Sequence, residues 1–312
     1  MVDEASISGT IDLSIVLVCW NNRSHLEACL DSLCGTGIAS RFDIVVVDNG
    51  STDGSQKMLS EEYSSVLVIQ NDHNVGLGRA SNQGIDATNG RYILLLNNDT
   101  IVHGPSIDEL VRFADATPGV GAVGGRLLNE DGSFQAGFGN FPSFLQEFLI
   151  ATRLGELSKP GYPSHLDDTV ARKVDWLSSA CLLVRRSALD EVGLLDEEYF
   201  IYGDETDLQY RLKQAGWDVY YLPEVSTIHF GGRSLDRWKR RRMVYRGKVL
   251  FFKKSYGRLP SWGLRLMLAA LSLAKCVVWA TGLGISRWRD RAQQELRSNI
   301  DVLHVCWNPS AV

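Results

Sequence analysis

Short apolar runs alternate with helix-like segments over the first hundred residues. Four runs of mostly β-branched and aliphatic residues are short enough to be buried strands, and they lie at 13–19, 42–47, 66–69 and 92–96. Segments 24–33 and 78–87 are predicted as helices, the first from its apolar spacing at Leu26, Leu30 and Leu33. This alternation predicts parallel strands with helices on both faces of one sheet.

Polar side chains follow three of these strands at the point where each strand ends. They are Trp20-Asn21-Asn22, Asp48-Asn49 and Asn97-Asn98-Asp99. In an open parallel sheet, ligands bind beyond the carboxyl ends of the strands. The sequence therefore predicts a ligand site at this edge of the sheet.

The rest of the chain is less regular. Residues 119–172 are rich in glycine, and their pattern assigns no elements. Beyond them the pattern predicts a strand at 176–184, a helix after Asp207, and short strands at 219–222 and 226–229. From Asp236 the pattern is helical and basic, and then helical and apolar to about Ile285.

Composition and charge narrow the class of protein. The 312 residues carry a net charge of −5, whereas nucleic-acid-binding proteins usually show a basic excess, so no nucleic-acid partner is expected. The six cysteines form no CxxC pair and indicate a reducing compartment. No secretory signal and no run of about 18 uncharged apolar residues is visible. A cytoplasmic location is therefore expected.

Several polar residues are candidates for metal binding or acid–base chemistry. Asp99 could hold a divalent cation, with a turn or cap role as an equal alternative. Asp204 and Glu205 lie beside aromatic residues, which favours a desolvated carboxylate with a raised pKa, suited to a general base. Asp207 is better explained as a helix cap. His229 precedes two glycines that allow close approach of a ligand, although a structural role is commoner for such a residue.

Other positions fit nucleotide binding. Asp48 and Asn49 could contact a nucleobase edge, since a carboxylate accepts a hydrogen bond from a pyrimidine imide; ordinary turn chemistry is the alternative. The glycine-containing loop at 74–84 leads into a helix whose N-terminus could lie near a diphosphate, with Arg79 adding positive charge.

Taken in this order, the motifs resemble those of a family 2 glycosyltransferase with a GT-A fold. The matching segments are 14–22, 47–53, 74–84, 96–100, 176–186, 192–207 and 228–232, within about residues 11–256. The resemblance implies a Rossmann-like α/β fold with a mostly parallel central sheet, followed by a helical basic and apolar tail. It divides the chain into a catalytic domain at 1–235, with a nucleotide-binding half at about 11–100 and an acceptor half at about 101–235, and a helical C-terminal region at 236–312.

The resemblance also implies roles for individual residues. Nucleotide binding is expected from Cys19, Trp20, Asn21, Asp48, Asn49, Arg79 and Asn98. Asp99 and His229 would bind Mg²⁺ or Mn²⁺. The metal motif reads Asn-Asn-Asp where other members carry two acids, so metal affinity would rest on fewer carboxylates. The acid pair reads Asp-Glu where many members read Glu-Asp, which places Glu205 at the usual position of the catalytic base and leaves Asp204 as a rival.

The implied reaction is a single displacement that inverts the anomeric configuration. The donor would be a UDP- or dTDP-sugar, with dTDP-rhamnose suggested by the similarity of the basic tail to rhamnosyltransferase-like members. The acceptor would be a hydroxyl of a glycan or polyprenyl-linked glycan. Two alternatives are a non-catalytic nucleotide-sugar-binding member and, less favoured, a sugar nucleotidyltransferase, because the turn after the first strand lacks the glycines that such enzymes carry there.

The C-terminal region mixes cations with aromatic residues, as interfacial helices on anionic membranes do. A solvated helix packed on the catalytic domain is the alternative. Arg265 and Lys275 interrupt the apolar stretch that follows, so we expect this region to lie peripherally on the cytoplasmic face of the membrane. The oligomeric state is left open.

Overall fold

The computed structural model describes residues 11–35, 37–158, 169–231, 237–284 and 286–308. The strands are β1 (Leu13–Cys19), β2 (Phe42–Asp48), β3 (Leu67–Gln70), β4 (Tyr92–Asn97), β5 (Thr100–Ile101), β6 (Val120–Leu128), β7 (Phe134–Gln135), β8 (Phe138–Gly139), β9 (Arg172–Lys173), β10 (Trp176–Leu177), β11 (Cys181–Arg185) and β12 (Asp218–His229).

The helices are α1 (Arg23–Gly35), α2 (Ser55–Glu62), α3 (Leu77–Asp86), α4 (Gly104–Ala116), α5 (Phe144–Thr152), α6 (Gly155–Ser158), α7 (Arg186–Val192), α8 (Asp204–Gln214), α9 (Arg237–Phe251), α10 (Arg258–Gly282) and α11 (Arg289–Trp307). A π-helical turn at Phe252–Tyr256 joins α9 to α10, and a 3₁₀ turn at Ser286–Trp288 precedes α11.

One mixed sheet organises the molecule. Its strand order is β3-β2-β1-β4-β11-β6-β12-β5, with β7 paired to β6 and β9 paired to β12. Strands β3, β2, β1 and β4 are mutually parallel, and β11 runs antiparallel between β4 and β6. The predicted α/β fold with a mostly parallel central sheet is confirmed.

Helices cover both faces of this sheet because its central strands are apolar on both sides. One buried cluster joins alternate residues of β1, such as Ile15 and Leu17, to α1, α2 and α4. A second cluster joins Val16 of the same strand to α3, α7 and α8. Successive side chains of β1 therefore pack into the two cores in turn, and the polar groups lie at the strand ends.

The glycine-rich segment that the sequence pattern left unassigned contains β6, a central strand. A Cβ atom at Gly125 would lie 2.3 Å from the carbonyl oxygen of Val225, and one at Gly124 would lie 2.9 Å from that of Cys181. Glycine is therefore required where neighbouring backbones approach most closely. Because these positions carry no apolar side chain, the hydrophobic pattern of the sequence does not reveal the strand.

Three predicted strands differ from those observed. The single strand predicted at 176–184 is two strands: β10 pairs with β8 in a separate ribbon, and β11 belongs to the main sheet. Conversely, the two short strands predicted near the end of the sheet are one strand, β12, whose register shifts between Leu222 and Ser226. Pro223 lies at this irregularity and cannot donate to the ladder, which accounts for the apparent break in the pattern.

Helices α5, α9, α10 and α11 share a third core beside the sheet. Val249, Phe252 and Leu264 are buried in it together with Val302. Helix α10 is long and apolar enough to cross a membrane by length and composition, and 17% of its most apolar window is buried. The domain boundary predicted at residue 235 lies outside the described residues.

Candidate active site

A polar cleft of about 240 Å³ opens where the central strands end. Asn97 closes β4, and Asn98 and Asp99 form the tight turn into β5. Strand β5 then pairs with the end of β12, so that His229 lies opposite Thr100. This pairing brings Asp99 and His229, which are 130 positions apart in the chain, to one edge of the sheet.

Asp99 and His229 face each other in this cleft. The Oδ1 atom of Asp99 lies 3.3 Å from Nε2 of His229, and both side chains are largely buried. The backbone N–H of Phe230 donates to the carbonyl oxygen of Asp99, which fixes the two segments together. Asn97 Nδ2 also lies 3.2 Å from the same imidazole nitrogen.

Gln135 fixes the orientation of the His229 ring through a contact with its Nδ1 atom. Gln135 Nε2 donates to the carbonyl oxygen of His229 and to Oδ1 of Asn129, both at 2.9 Å. Its Oε1 atom must then accept from Nδ1 of His229, at 2.6 Å. This arrangement places a proton on Nδ1 and turns Nε2 towards Asp99.

A carboxylate oxygen and an imidazole lone pair at this separation form a donor set that suits a divalent cation. Among the described residues no group of three or more His, Cys, Asp or Glu side chains converges on one point. A cation such as Mg²⁺ or Mn²⁺ would therefore take its other ligands from water and from a bound phosphate, which is how Mg²⁺ is commonly held. Asp99 and His229 fit this partial ligand set.

The environment also keeps Asp99 ionised. Burial raises the pKa of the Asp99 carboxyl, but its hydrogen bond to His229 and the charge of that residue lower it more, so the pKa lies below the usual value. A metal ligand must be deprotonated, and this carboxyl meets that requirement.

The acid pair lies at the N-terminus of α8, where Glu205 lines the same cleft. Gly203 precedes the helix with φ 102°, and a Cβ atom there would lie 3.0 Å from the ring of Tyr199. Helix α9 approaches from outside: a Cβ atom at Gly247 would lie 2.3 Å from the carbonyl oxygen of Tyr202. These two glycines allow the loop before Asp204 to pass between Tyr199 and α9.

Asp204 and Glu205 occupy different environments. Glu205 is half-buried and lines the cleft, with Oε2 accepting from the backbone N–H of Gly203 at 3.2 Å. Asp204 is buried, lines only a small adjoining cavity of about 20 Å³, and its Oδ1 atom has no hydrogen-bond partner among the described residues. Burial raises the pKa of Asp204 well above its usual value, and the charge of Glu205 raises it further. Asp204 is therefore withdrawn from the cleft, and Glu205 is the member of the acid pair that lines it.

Asp207 is not the helix cap that the sequence suggested. It lies inside α8, because the helix begins at Asp204 after Gly203. Its Oδ2 atom accepts from Nε of Arg211 at 2.9 Å, one helical turn later. Arg211 in turn donates to the carbonyl oxygens that end α7. Asp207 is part of a structural network rather than a reactive group.

Three of the predicted nucleotide-binding residues line the cleft. They are Trp20, Asn49 and Asn98. The side chain of Asn49 is held by Asn71, which donates to its Oδ1 atom at 3.1 Å, and by Asn74, which accepts from its Nδ2 atom at 3.0 Å. Asn98 Oδ1 accepts from Asn22 at 2.9 Å.

The other four predicted nucleotide-binding residues lie outside the lining of this cleft. Cys19 is buried behind it and contacts Ser55, and Asn21 closes a loop by accepting from the N–H of Thr52 at 2.7 Å. Asp48 is buried with one carboxylate oxygen bound to Gln56 at 2.7 Å and the other unpartnered among the described residues. The guanidinium of Arg79 is exposed, 3.8 Å from Glu197.

Several lining residues were not selected from the sequence. They are Asn74, Asn97, Ser178, Phe200, Tyr202 and Arg240. Asn97 stands in the strand-end motif and could have been chosen on that ground. Tyr202 adopts a left-handed conformation with φ 65°, which a non-glycine residue rarely does, and its sequence gives no sign of this. Arg240 reaches the cleft from α9, a contact that only the tertiary structure reveals.

Solved structures share this architecture. A mannosyltransferase from Pyrobaculum calidifontis, solved with GDP-Man and Mn²⁺, superposes with a TM-score of 0.58 at 14% identity over 96% of this chain and 88% of that one. At this level of identity the likeness concerns the fold alone, and it is consistent with a GT-A fold.

Sequence relatives give the family. The N-acetylglucosaminyl-diphospho-decaprenol L-rhamnosyltransferase of Mycobacterium tuberculosis is 33% identical over 246 residues, which cover 72% of this chain and 78% of the relative. A low-salt glycan biosynthesis hexosyltransferase of Haloferax volcanii is 24% identical over 83% of this chain and 82% of that protein. The family model described as glycosyl transferase family 2 matches residues 14–193. The chain therefore belongs to glycosyl transferase family 2 and is a glycosyltransferase of the rhamnosyltransferase-like kind.

Proposed function

We propose that this enzyme moves a sugar from a nucleotide diphosphate to a hydroxyl of a lipid-linked glycan, with inversion at the anomeric carbon. The observation that carries the proposal is the convergence of Asp99, His229 and Glu205 on one cleft at the strand ends. A cation-binding pair and a separate carboxylate in one cleft suit a reaction in which a leaving diphosphate and an attacking hydroxyl lie on opposite faces of the sugar.

Glu205 is the general base in this proposal. It accepts the proton of the acceptor hydroxyl as the oxygen forms a bond to the anomeric carbon and the bond to the diphosphate oxygen breaks. Asp204 does not fill this role, because its carboxyl is buried and does not line the cleft. Its side chain is hydrogen-bonded to Glu205, and we propose that this contact holds the Glu205 carboxyl group in position.

Asp99 and His229 hold the divalent cation in this proposal. When bound, the cation supplies Lewis-acid stabilisation of the charge that develops on the departing diphosphate. The protein's own contribution is to orient both ligands: Gln135 holds the imidazole, and the Phe230 N–H holds the turn at Asp99. The Mn²⁺ bound by the mannosyltransferase of similar fold agrees with this assignment.

We infer that the donor is dTDP-rhamnose and that the acceptor carries N-acetylglucosamine on a prenyl diphosphate. The name of the 33%-identical mycobacterial relative supports rhamnose as the transferred sugar and this class of acceptor. The nucleotide would lie along Trp20, Asn49 and Asn98. Neighbouring side chains already hold the amide groups of the two asparagines in place. Such an acceptor agrees with a peripheral position on the cytoplasmic face of the membrane, with α10 as the contacting element.

The test is transfer by the purified protein from a panel of nucleotide sugars to a short-chain prenyl-diphospho-N-acetylglucosamine. We expect Mn²⁺-dependent product from dTDP-rhamnose, with the anomeric configuration of the product opposite to that of the donor when read by proton NMR. Retention of configuration would contradict the single displacement. Donor binding without release of nucleotide diphosphate under any condition would favour the alternative of a non-catalytic binding protein.

A further inference from the structure

A strongly basic cavity of about 510 Å³ lies between α5, α9, α10 and α11, away from the strand ends. We call it the basic pocket. It is lined by six cations, Arg153, Arg240, Arg241, Lys248, Lys275 and Arg291, and by a single carboxylate, that of Glu295. A cavity with this balance of charge is complementary to an anion that carries several negative charges.

Only part of this positive charge is neutralised by the described residues. Lys248 pairs with the buried Glu147 at 2.7 Å, and Arg241 lies 3.7 Å from Glu295. No carboxylate in the described part of the chain pairs with Arg153, Arg240 or Arg291. Like charges therefore remain crowded in one cavity unless an anion enters it.

One further group in the basic pocket indicates a missing partner. The Nε atom of Arg240 is buried and has no hydrogen-bond partner among the described residues. Lys275 already donates from Nζ to the carbonyl oxygen of Ala151; burial lowers its pKa, and the charges of Arg241 and Arg153 lower it further. A bound anion would satisfy Arg240 and relieve the repulsion at Lys275.

The basic pocket adjoins the catalytic cleft. Arg240 lines both. A third cavity, of about 260 Å³, also joins them: Tyr202 and Glu205 line it at the cleft end, and Val244 and Lys248 line it at the other. A ligand bound by the cations can therefore extend to the proposed base without leaving the protein surface.

The connecting cavity suits a sugar. Trp176 and Tyr202 present aromatic rings beside polar groups of Glu205 and Thr206. Beyond the basic pocket the surface becomes apolar: Val277 and Val278 on α10 are 70% and 66% exposed, next to the pocket residue Trp279. A ligand made of a sugar, an anionic group and a hydrocarbon chain would therefore meet a matching surface for each part, in that spatial order from Glu205 outwards.

We propose that the basic pocket binds the diphosphate of the lipid-linked acceptor, with its sugar directed at Glu205 and its prenyl chain leaving over the exposed face of α10. This inference rests on the proposed function for the identity of the acceptor. It adds a binding site for the acceptor's charged linkage, in which α9, α10 and α11 lie outside the segment that the family model matches and Arg153 lies within it.

The first test measures binding without catalysis. A short-chain prenyl diphosphate is titrated into the full chain in the presence of a chelator, so that no cation bridges it to Asp99 and His229, and affinity is read by calorimetry. We expect the double variant Arg153→Gln, Arg291→Gln to bind at least about tenfold more weakly, since each lost charge-assisted contact to a phosphate is worth roughly that factor. The matched control is Arg297→Gln, an exposed cation of α11 outside the basic pocket, which should bind as the parent does.

Competing anions distinguish the sources of phosphate. Inorganic phosphate and vesicles of phosphatidylglycerol are expected to displace the prenyl diphosphate poorly. Equal binding by the double variant and the parent, or displacement by vesicles at the same phosphate concentration, would overturn the proposal. Absence of prenyl diphosphate binding to the parent would overturn it as well.

A second measurement separates this inference from the proposed function. The double variant should raise the KM for the diphosphate-linked acceptor and leave unchanged both the KM for the donor and the slow hydrolysis of the donor by water. An unchanged acceptor KM in an active enzyme would refute the basic pocket alone. A parent enzyme that cleaves no nucleotide sugar would refute the proposed function, while the calorimetric result would still decide the basic pocket.

Discussion

The strand-end cleft and the basic pocket differ in how their polar groups are paired. In the cleft, side chains hold one another: Asn49 is bonded to Asn74, and His229 is bonded to Gln135. In the basic pocket, Arg153 and Arg291 have no carboxylate partner in the described structure, and Arg240 keeps a buried donor without a partner. The cleft is organised before a ligand arrives, whereas the basic pocket requires an anion to complete it.

This difference matches the demands of the two sites. Charge stabilisation in a reaction depends on groups that need not move when the charge develops, and the bonded network around His229 provides such groups. A site that only holds a substrate can instead use long flexible cations, since its geometry need not be exact to bind a diphosphate. Variants in the two regions should therefore affect different kinetic constants.

The largest effect is expected from Glu205→Gln. Removal of a general base lowers kcat by about 10²–10⁴-fold, while donor affinity should stay close to that of the parent. Asp204→Asn should retain most activity, because the amide can still donate a hydrogen bond to Glu205. Initial rates of transfer for both variants, with Glu61→Gln as a surface control, measure this difference. Equal losses in the two acid variants would remove the distinction between the residues.

A smaller effect is expected from Gln135→Leu, which leaves both proposed metal ligands in place. Loss of the group that orients a metal-binding histidine commonly costs about 10–100-fold in metal affinity. The Mn²⁺ concentration that gives half-maximal transfer should rise accordingly, with little change in the rate at saturating Mn²⁺. A variant with unchanged Mn²⁺ dependence would show that the His229 ring needs no such support.

Gly247→Ala tests the contact between α9 and the loop that carries the acid pair. Its new Cβ atom would lie 2.3 Å from the carbonyl oxygen of Tyr202, so α9 or the loop must shift. Overpacking of this kind typically destabilises a protein by about 1–3 kcal/mol. Urea unfolding should show this loss, and the KM for the acceptor should rise more than the KM for the donor. Gly35→Ala, at a helical glycine without positive φ and with no atoms within 4 Å, is the matched control.

The smallest effect concerns pH and the buried Asp204. Its pKa is raised in the folded protein by burial and by the neighbouring charge of Glu205. The folded state therefore keeps a proton that the unfolded chain releases above its ordinary pKa of 3.8, and the free energy of unfolding falls as pH rises through and beyond that value. Asp204→Asn should remove this part of the decline. The free energy of unfolding of the parent and of Asp204→Asn should be measured at several pH values between 4 and about 8. A parallel decline in the two proteins would contradict a raised pKa of Asp204.

The sequence was informative where chemistry follows directly from a strand. Asp99 could be selected because it ends an apolar run, and the order of motifs predicted the α/β sheet that is observed. His229 was also selected from a strand end, but its partner Gln135 was not, since β7 lies in the glycine-rich segment whose pattern assigned no elements. Close backbone packing at Gly124 and Gly125 removed the side-chain signal there.

The basic pocket could not be predicted from the sequence, for a different reason. The basic character of the segment around Lys239 was visible, and it suggested an interfacial helix. The pocket, however, combines Arg153 of α5, Lys275 of α10 and Arg291 of α11, which become neighbours only after the helices pack. A pattern along one helix indicates its charge but not which cations on other helices will share a cavity with it.

The central claim is that Asp99 and His229 bind one cation beside the donor diphosphate. The most direct test is electron spin-echo spectroscopy of Mn²⁺ bound to the enzyme together with dTDP. The account predicts nitrogen modulation from the His229 imidazole, which disappears in His229→Gln while the metal stays more weakly bound through Asp99. Nitrogen modulation that persists in His229→Gln, or its absence from an enzyme that Mn²⁺ activates, would contradict the claim.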